Sequence, residues 1–194
     1  MWEVFEHKKV VRRLSRLPQE ILKRYEKWKD IVTASGPEGL RLIKGFHDET
    51  LKGEWKGHRS SSLSRQYRVI YRVELDKLIV LVVELTPHDY RRKSIMDMTD
   101  FRKAKKSTPV SVGESVRIIR ELQELSQTEL AELTKIPQST ISAIENNRIN
   151  LGVERAKVVA TALQVHPSVL VFPGWEVKNR RLHNPLMATN VKRT

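Results

Sequence analysis

The chain reads as an α+β unit followed by an all-α bundle. Three features predict this: two successive helix-period stripes near the start, strand-like patterning after about residue 55, and helical periodicity throughout from Gly113. At 194 residues the length allows one domain or two small ones.

Residues 2–5 read as a short edge strand. Val10, Val11, Leu14 and Leu17 keep helical spacing, and Pro18 interrupts that helix or starts the next. A second stripe, Ile21, Leu22, Tyr25, Trp28, Ile31 and Val32, ends at Ser35-Gly36-Pro37. Residues 55–63 are polar but compatible with a strand. Tyr67, Val69, Tyr71 and Val73 then alternate with Arg68, Ile70 and Arg72, and residues 78–85 are nearly all apolar, as in a central strand. Glu74-Leu75-Asp76-Lys77 joins the last two as a hairpin. The expectation for residues 1–95 is two helices on a small antiparallel sheet. Residues 96–112, basic and without an apolar stripe, read as an exposed, cleavable linker. Residues 113–173 read as five helices, with Val158, Val159 and Leu163 on one apolar stripe, and 174–194 as a basic tail.

Composition narrows the function classes. There is no cysteine, so disulfides and thiolate metal sites are excluded and a reducing cytoplasm is expected. The six His are scattered, so no metal site is expected, and no cofactor motif is present. No apolar run is long enough to span a membrane, and the first residues lack a secretory pattern. The net charge is +13. Residues 1–95 hold 21 basic against 13 acidic side chains, so the first half is itself a candidate for polyanion contact.

Residues 125–147 carry the sharpest motif. Ser126 suits a helix N-cap, with Glu129 completing a capping box. Leu130 and Leu133 are expected to point inward, and after a turn Ile141 and Ile144 bury one face of a second helix. Its other face presents Gln138, Ser139, Thr140 and Ser142, short polar groups suited to a DNA major groove. With Gln127, Ala131, Ile136, Glu145 and Ala162-Leu163, this segment resembles the Xre-type helix-turn-helix family of phage repressors and antitoxins. The resemblance covers residues 113–172. It implies a five-helix domain, a homodimer on a palindromic operator, base or phosphate contacts from Gln138, Ser139, Thr140 and Ser142, and phosphate contacts from Gln127, Asn146, Asn147 and Arg148. Pro137 departs from the family's small N-cap residue, and Asn147 from its usual Gly, although Asn tolerates a left-handed turn. Glu145 reads as a structural partner for a helix end rather than a base reader.

In the first half, residues 49–59, 65–71 and 86–92 concentrate Glu, Arg, Lys, His and Tyr. If Arg59, Arg68 and His88 converge on one face, they suit cleavage of an RNA phosphodiester. A base takes the 2′-hydroxyl proton, guanidinium groups hold the extra negative charge, and an acid protonates the leaving 5′-oxygen. Leu51-x-Gly53-x-Trp55-Lys56-Gly57-x-Arg59, Arg68-Val-Ile-Tyr71 and His88 resemble the RelE-like superfamily of mRNA-cleaving toxins, in its HigB and YafQ branches. That resemblance implies a metal-independent nuclease acting in the ribosomal A site beside a HigA-like antitoxin. It makes Glu49, Arg59, Arg68, His88 and Tyr90 the catalytic candidates, with Lys52, Lys56, Arg65 and Arg91 along the RNA. Ser62 and Gln66 stand where the YafQ branch has His and Asp. Trp55 and Tyr71 also read as core residues. The basic run Lys8, Lys9, Arg12, Arg13 and Arg16 reads as a solvated face that would also suit ribosomal RNA.

The combined expectation is a fused toxin–antitoxin protein. Its nuclease half acts on ribosome-bound mRNA and is restrained by a DNA-binding half that represses its own operon. The alternative is a transcriptional regulator whose RelE-like half is catalytically inactive and serves dimerisation or partner binding.

Overall fold

A computed structural model describes residues 2–87 and 98–173. The chain is α+β: a six-stranded sheet with helices in the first part, then five helices. The elements of the first part are β1 (Glu3–His7), α1 (Lys8–Leu14), α2 (Gln19–Ser35), α3 (Glu38–Arg41), β2 (Glu49–Thr50), β3 (Arg59–Ser62), β4 (Tyr67–Glu74), β5 (Ile79–Pro87) and β6 (Phe101–Lys103). The second part holds α4 (Val112–Leu122), α5 (Gln127–Thr134), α6 (Gln138–Glu145), α7 (Val153–Ala162) and α8 (Pro167–Val171). No helix among the described residues is long and apolar enough to cross a membrane.

The sheet runs β2-β3-β4-β5-β1-β6 and is mixed, not purely antiparallel. β1 lies inside it, parallel to β5, where the sequence suggested an edge. A parallel neighbour requires a long crossover, and the α1–α2 pair provides it. Pro18 sits at the N-cap of α2, and Gly36 closes that helix at φ 71. Leu75–Lys77 makes the short turn of the β4–β5 hairpin. The register slips between Ile70 and Tyr71, so Val83 is left without an opposite residue.

The segment expected to be a free linker is built into the fold. β6 pairs antiparallel with β1, and Asp100 accepts a 2.6 Å bond from Lys8 at the start of α1. Further on, Lys29 donates to the Lys105 carbonyl at 2.7 Å, the Ser107 N–H donates to Glu26 at 2.8 Å, and Gln19 bonds the buried Thr108. The segment lacks an apolar stripe because its anchors are backbone groups, which composition does not display.

One apolar core runs through both parts. Tyr25, Trp28, Ile31 and Val32 of α2 belong to the same buried cluster as Val69, Tyr71 and Val82 of the sheet and Val116, Ile119 and Leu170 of the bundle. Around it, α2 meets the bundle through polar links. Lys23 pairs with Glu114 at 2.7 Å, Arg24 with Glu121 at 3.0 Å, and the fully buried Lys27 donates to the Val169 carbonyl at 2.8 Å. Two readings of the bundle core need correction. Leu133 is 59% exposed and Val158 44%, because α5 and α7 are covered on one side only.

Two expectations follow. Cutting the chain at a protease site inserted between residues 88 and 97 leaves both pieces in one gel-filtration peak, since the core and the β1–β6 pairing do not need the covalent link. The Glu114 carboxyl is held below its ordinary value first by the Lys23 hydrogen bond and then by the Ser111 backbone. The stability it contributes is complete above pH 4.5 and is lost as pH falls through the lower native value. Glu114→Gln therefore lowers the melting temperature at neutral pH and flattens its further fall in acid, measured by thermal denaturation across that range.

Candidate nucleic-acid interfaces

In the bundle, two capping boxes set the helix starts. The Ser126 hydroxyl accepts from the Glu129 N–H at 3.1 Å while Glu129 accepts from the Ser126 N–H at 2.7 Å, and Ser111 and Glu114 repeat the pattern on α4. Leu130, Ile141 and Ile144 are buried, so α5 and α6 pack by their apolar faces. Pro137 occupies the N-cap of α6 in extended backbone and makes no side-chain cap. The polar face of α6 stays outside: Gln138 and Ser139 are exposed, and Thr140 and Ser142 half-buried.

A polar network fixes the ends of these two helices. Arg120 grips Glu145 through Nε and Nη2 at 2.6 and 2.9 Å, so Glu145 has the structural partner its position suggested. Glu145 also accepts from Gln127 at 2.8 Å, and Gln138 donates to Gln127 at 2.7 Å. The starts of α5 and α6 are thereby locked side by side. Asn147 takes φ 55, accepts from the Gly113 N–H at 3.0 Å and donates to Ser111. Gly113 has to be glycine, because a Cβ there would lie 2.3 Å from the Ile144 carbonyl. Asn146 bonds back to the Ser142 carbonyl, and Arg148 is exposed just beyond. One surface thus presents a polar helix face flanked by amide and guanidinium groups, the composition that reads base edges and phosphates.

A helix-turn-helix family model matches residues 116–170. These residues are a helix-turn-helix domain. α5 is its first motif helix and α6 the recognition helix. Three solved structures are similar to parts of the chain. The restriction-modification controller protein C.AhdI from Aeromonas hydrophila is 30% identical over 30% of this chain and 89% of its own, at a TM-score of 0.30. The toxin–antitoxin complex RelBE2 from Mycobacterium tuberculosis is 22% identical over 45% of this chain and 98% of its own, at 0.36. The archaeal RelE–RelB complex from Pyrococcus horikoshii is 28% identical over 46% and 97%, at 0.38. No curated protein matches the chain.

The α/β part presents two polar clusters, and strand parity separates them. Arg59 lies opposite Tyr71 and Ser62 opposite Arg68, so Arg59 and Arg68 point to opposite faces of the sheet. The expected convergence of the two guanidinium groups does not occur. Arg59 is spent on the fully buried Asp48 carboxylate, which also accepts from Ser61 at 2.7 Å and Tyr71 at 2.6 Å. Its Nη1 donates to Thr50 at 2.8 Å, and its Nε N–H is shared between Asp48 and the Tyr71 oxygen. Burial first, and then the Asp48 charge, raise the Tyr71 hydroxyl well above its ordinary range, so it stays a donor. Arg59 is a structural clasp. Asp48 is its unanticipated partner, and nothing in its sequence spacing announces the bond.

Arg68 and Glu49 do come together. Arg68 pairs with Glu49 at 2.8 Å and donates to Ser60 at 3.0 Å, on the face where Trp55, Ile70 and Val83 form a small second cluster with Phe101 of β6. Lys52 and Lys56 flank the turn that carries Trp55, and Arg65 stands exposed in the β3–β4 turn. His88, Tyr90 and Arg91 lie outside the described residues.

On the helix side, Lys9, Arg12, Arg13, Arg16, Leu17 and Tyr67 line a concavity of about 440 Å³. Its cations fall at helical intervals of three and four, and that spacing is the sequence signal of a single face. Tyr67 pairs with Pro87, where β5 ends. Burial raises the carboxyl of nearby Glu84, against the pull of Arg13 and Lys9.

The two arginines predict different mutants. Asp48→Ala leaves a half-buried guanidinium without its counter-charge and the buried Tyr71 hydroxyl without its acceptor, and costs about 3–5 kcal/mol. Arg68→Ala removes a pair whose acid is 56% exposed and costs at most about 1 kcal/mol. Urea denaturation of the two variants reads the difference.

Proposed function

We propose that the chain is a fused toxin–antitoxin regulator: a helix-turn-helix half that binds and represses its own operator, joined to a RelE-like half that cleaves ribosome-bound mRNA when released from restraint. The observation that carries the reading is a helix-turn-helix domain sharing one core with a basic α/β unit that holds an exposed Glu–Arg pair. The operator would be read by Gln138, Ser139, Thr140 and Ser142, with Gln127, Asn146 and Arg148 on phosphates, by a homodimer spanning two half-sites.

For the nuclease, Glu49 is the base for the 2′-hydroxyl proton. Arg68, paired with Glu49 in the free protein, turns to the phosphate oxygens as charge builds there. His88 protonates the 5′-oxygen and Tyr90 stacks on a base. Lys52, Lys56, Arg65 and Arg91 would follow the strand, and the concavity under Lys9, Arg12, Arg13 and Arg16 would hold its phosphates, with Tyr67 offering a ring to a base. No metal or cofactor is required by this scheme. Arg68 and Glu49 have their described partners within the sheet, while the bundle docks on α2 and on the turn at residues 44–46. Restraint by bulk, keeping the unit out of the ribosomal A site, fits this placement better than covering of the pair.

A second reading has its own observation. Arg59 is consumed by Asp48, and Ser62 and Gln66 replace the His and Asp of one toxin branch, so the α/β half would be an inactive scaffold for dimerisation or partner binding. Primer extension on mRNA from cells expressing residues 1–110, which keep β6, separates the two. The nuclease reading expects growth arrest and A-site cuts that fall at least about 100-fold in Arg68→Ala and His88→Ala. Harmless expression of all three as folded proteins favours the scaffold. For the operator half, Gln138→Ala is expected to weaken binding to the chain's own promoter fragment by about 1–3 kcal/mol in a gel-shift titration.

A further inference from the structure

Residues 42–47, between α3 and β2, belong to the α/β unit by sequence but touch the helix-turn-helix domain at its most consequential corner. Ile43 and Phe46 are buried, so the residues between them, Lys44 and Gly45, form the outer rim of a tight 3₁₀ turn. Gly45 presses on the end of α4: a Cβ there would lie 2.7 Å from the Leu122 carbonyl, so only glycine permits the approach. The buried Gln123 side chain stitches the turn in place. It accepts from the Lys44 N–H at 3.3 Å and donates to the carbonyls of Leu42 at 2.9 Å and Leu163 at 2.8 Å.

Three residues after Gln123 come Ser126 and Gln127, the start of α5, and Gln127 is bonded to Gln138 at the start of the recognition helix. The exposed Lys44 side chain is therefore carried to the edge of the surface that faces DNA. Glu129 gives its charge to the Ser126 N–H at 2.7 Å and is held below its ordinary value chiefly by that bond, with the Lys44 charge a further cause. Lys44 thus stands within electrostatic reach of the α5 N-terminus, and among the described residues it makes no ion pair of its own.

We infer that Lys44 is a DNA-phosphate contact supplied by the α/β unit, so that the duplex is gripped by both halves of the chain at once. This rests on the reading that the helix-turn-helix domain binds duplex DNA. Its physical basis is that DNA affinity is dominated by phosphate neutralisation, for which an exposed ammonium beside the helix start is suited wherever in the chain it originates.

The test is fluorescence anisotropy of the full-length protein with a fluorescein-labelled 30-bp random-sequence duplex, over a series of salt concentrations. Lys44→Ala is expected to weaken binding about three- to tenfold near 0.1 M salt and to lower the slope of log K against log salt by about 0.9. Lys44→Arg should keep wild-type affinity and slope, and Lys44→Glu should bind more weakly than Lys44→Ala. Since Lys44 is exposed, melting temperatures should stay equal across the three, which excludes a merely structural effect. Wild-type affinity and slope in Lys44→Ala and Lys44→Glu, alongside weakened binding by Arg148→Ala, would overturn the inference while leaving the domain's DNA binding intact. Failure of the wild-type protein to bind the duplex at low salt would overturn both.

Discussion

The ammonium of Lys27 is fully buried midway along α2, and its partners are Asp30 on its own helix and the carbonyl of Val169 in α8. Burial pulls its proton affinity down, with Asp30 opposing. A charge withdrawn from water costs several kcal/mol unless every partner is in place, so this lysine is tolerable only while the bundle is docked. Withdrawal of α8 would leave one donor unpaired and open an apolar core that includes Trp28, Ile119 and Leu170. The relative placement of the two halves is thereby specified by a polar contact and stabilised by an apolar one. The turn at Lys44 meets the end of α4 because α2 holds the bundle in that one position.

The same placement explains why residues 98–108 carry no readable pattern. They satisfy the unpaired edge of β1, the buried acid Glu26 and the buried ammonium of Lys29, mostly through backbone groups. An exposed β1 edge would be a template for pairing with another chain, and β6 closes it. Covering that edge and docking the bundle are parts of one arrangement. The α/β part and the bundle are thus joined by packing and by backbone hydrogen bonds as well as by the chain.

Within the sheet, the decisive constraint is parity. Neighbouring positions on β4 serve opposite faces: Tyr67 lines the basic concavity beside α1, and Arg68 pairs with Glu49 on the far side. A nucleic acid using both would have to cross the end of β4 near Arg65. The clasp around Asp48 ties β3 and β4 to the loop before β2, and so keeps Glu49 within reach of Arg68. Arg59 contributes to the pair by holding its scaffold, a positioning role unlike the phosphate contact its residue type suggested.

Sequence alone determined what depends on local periodicity and caps. The stripes of α1 and α2, the β4–β5 hairpin, the Ser126–Glu129 box and the buried faces of α5 and α6 were legible, because each is set by residues within about one turn or one strand of each other. The left-handed Asn147 was legible for the same reason, and the structural role of Glu145 from its place at the end of α6, although its partner Arg120 lies 25 residues away. Tertiary structure decided the parallel β1–β5 pairing, the capture of the supposed linker as β6, the exposure of Leu133 and Val158, and the division of Arg59 from Arg68. Those depend on register and on which face a distant element covers, and a side chain's type carries no record of either.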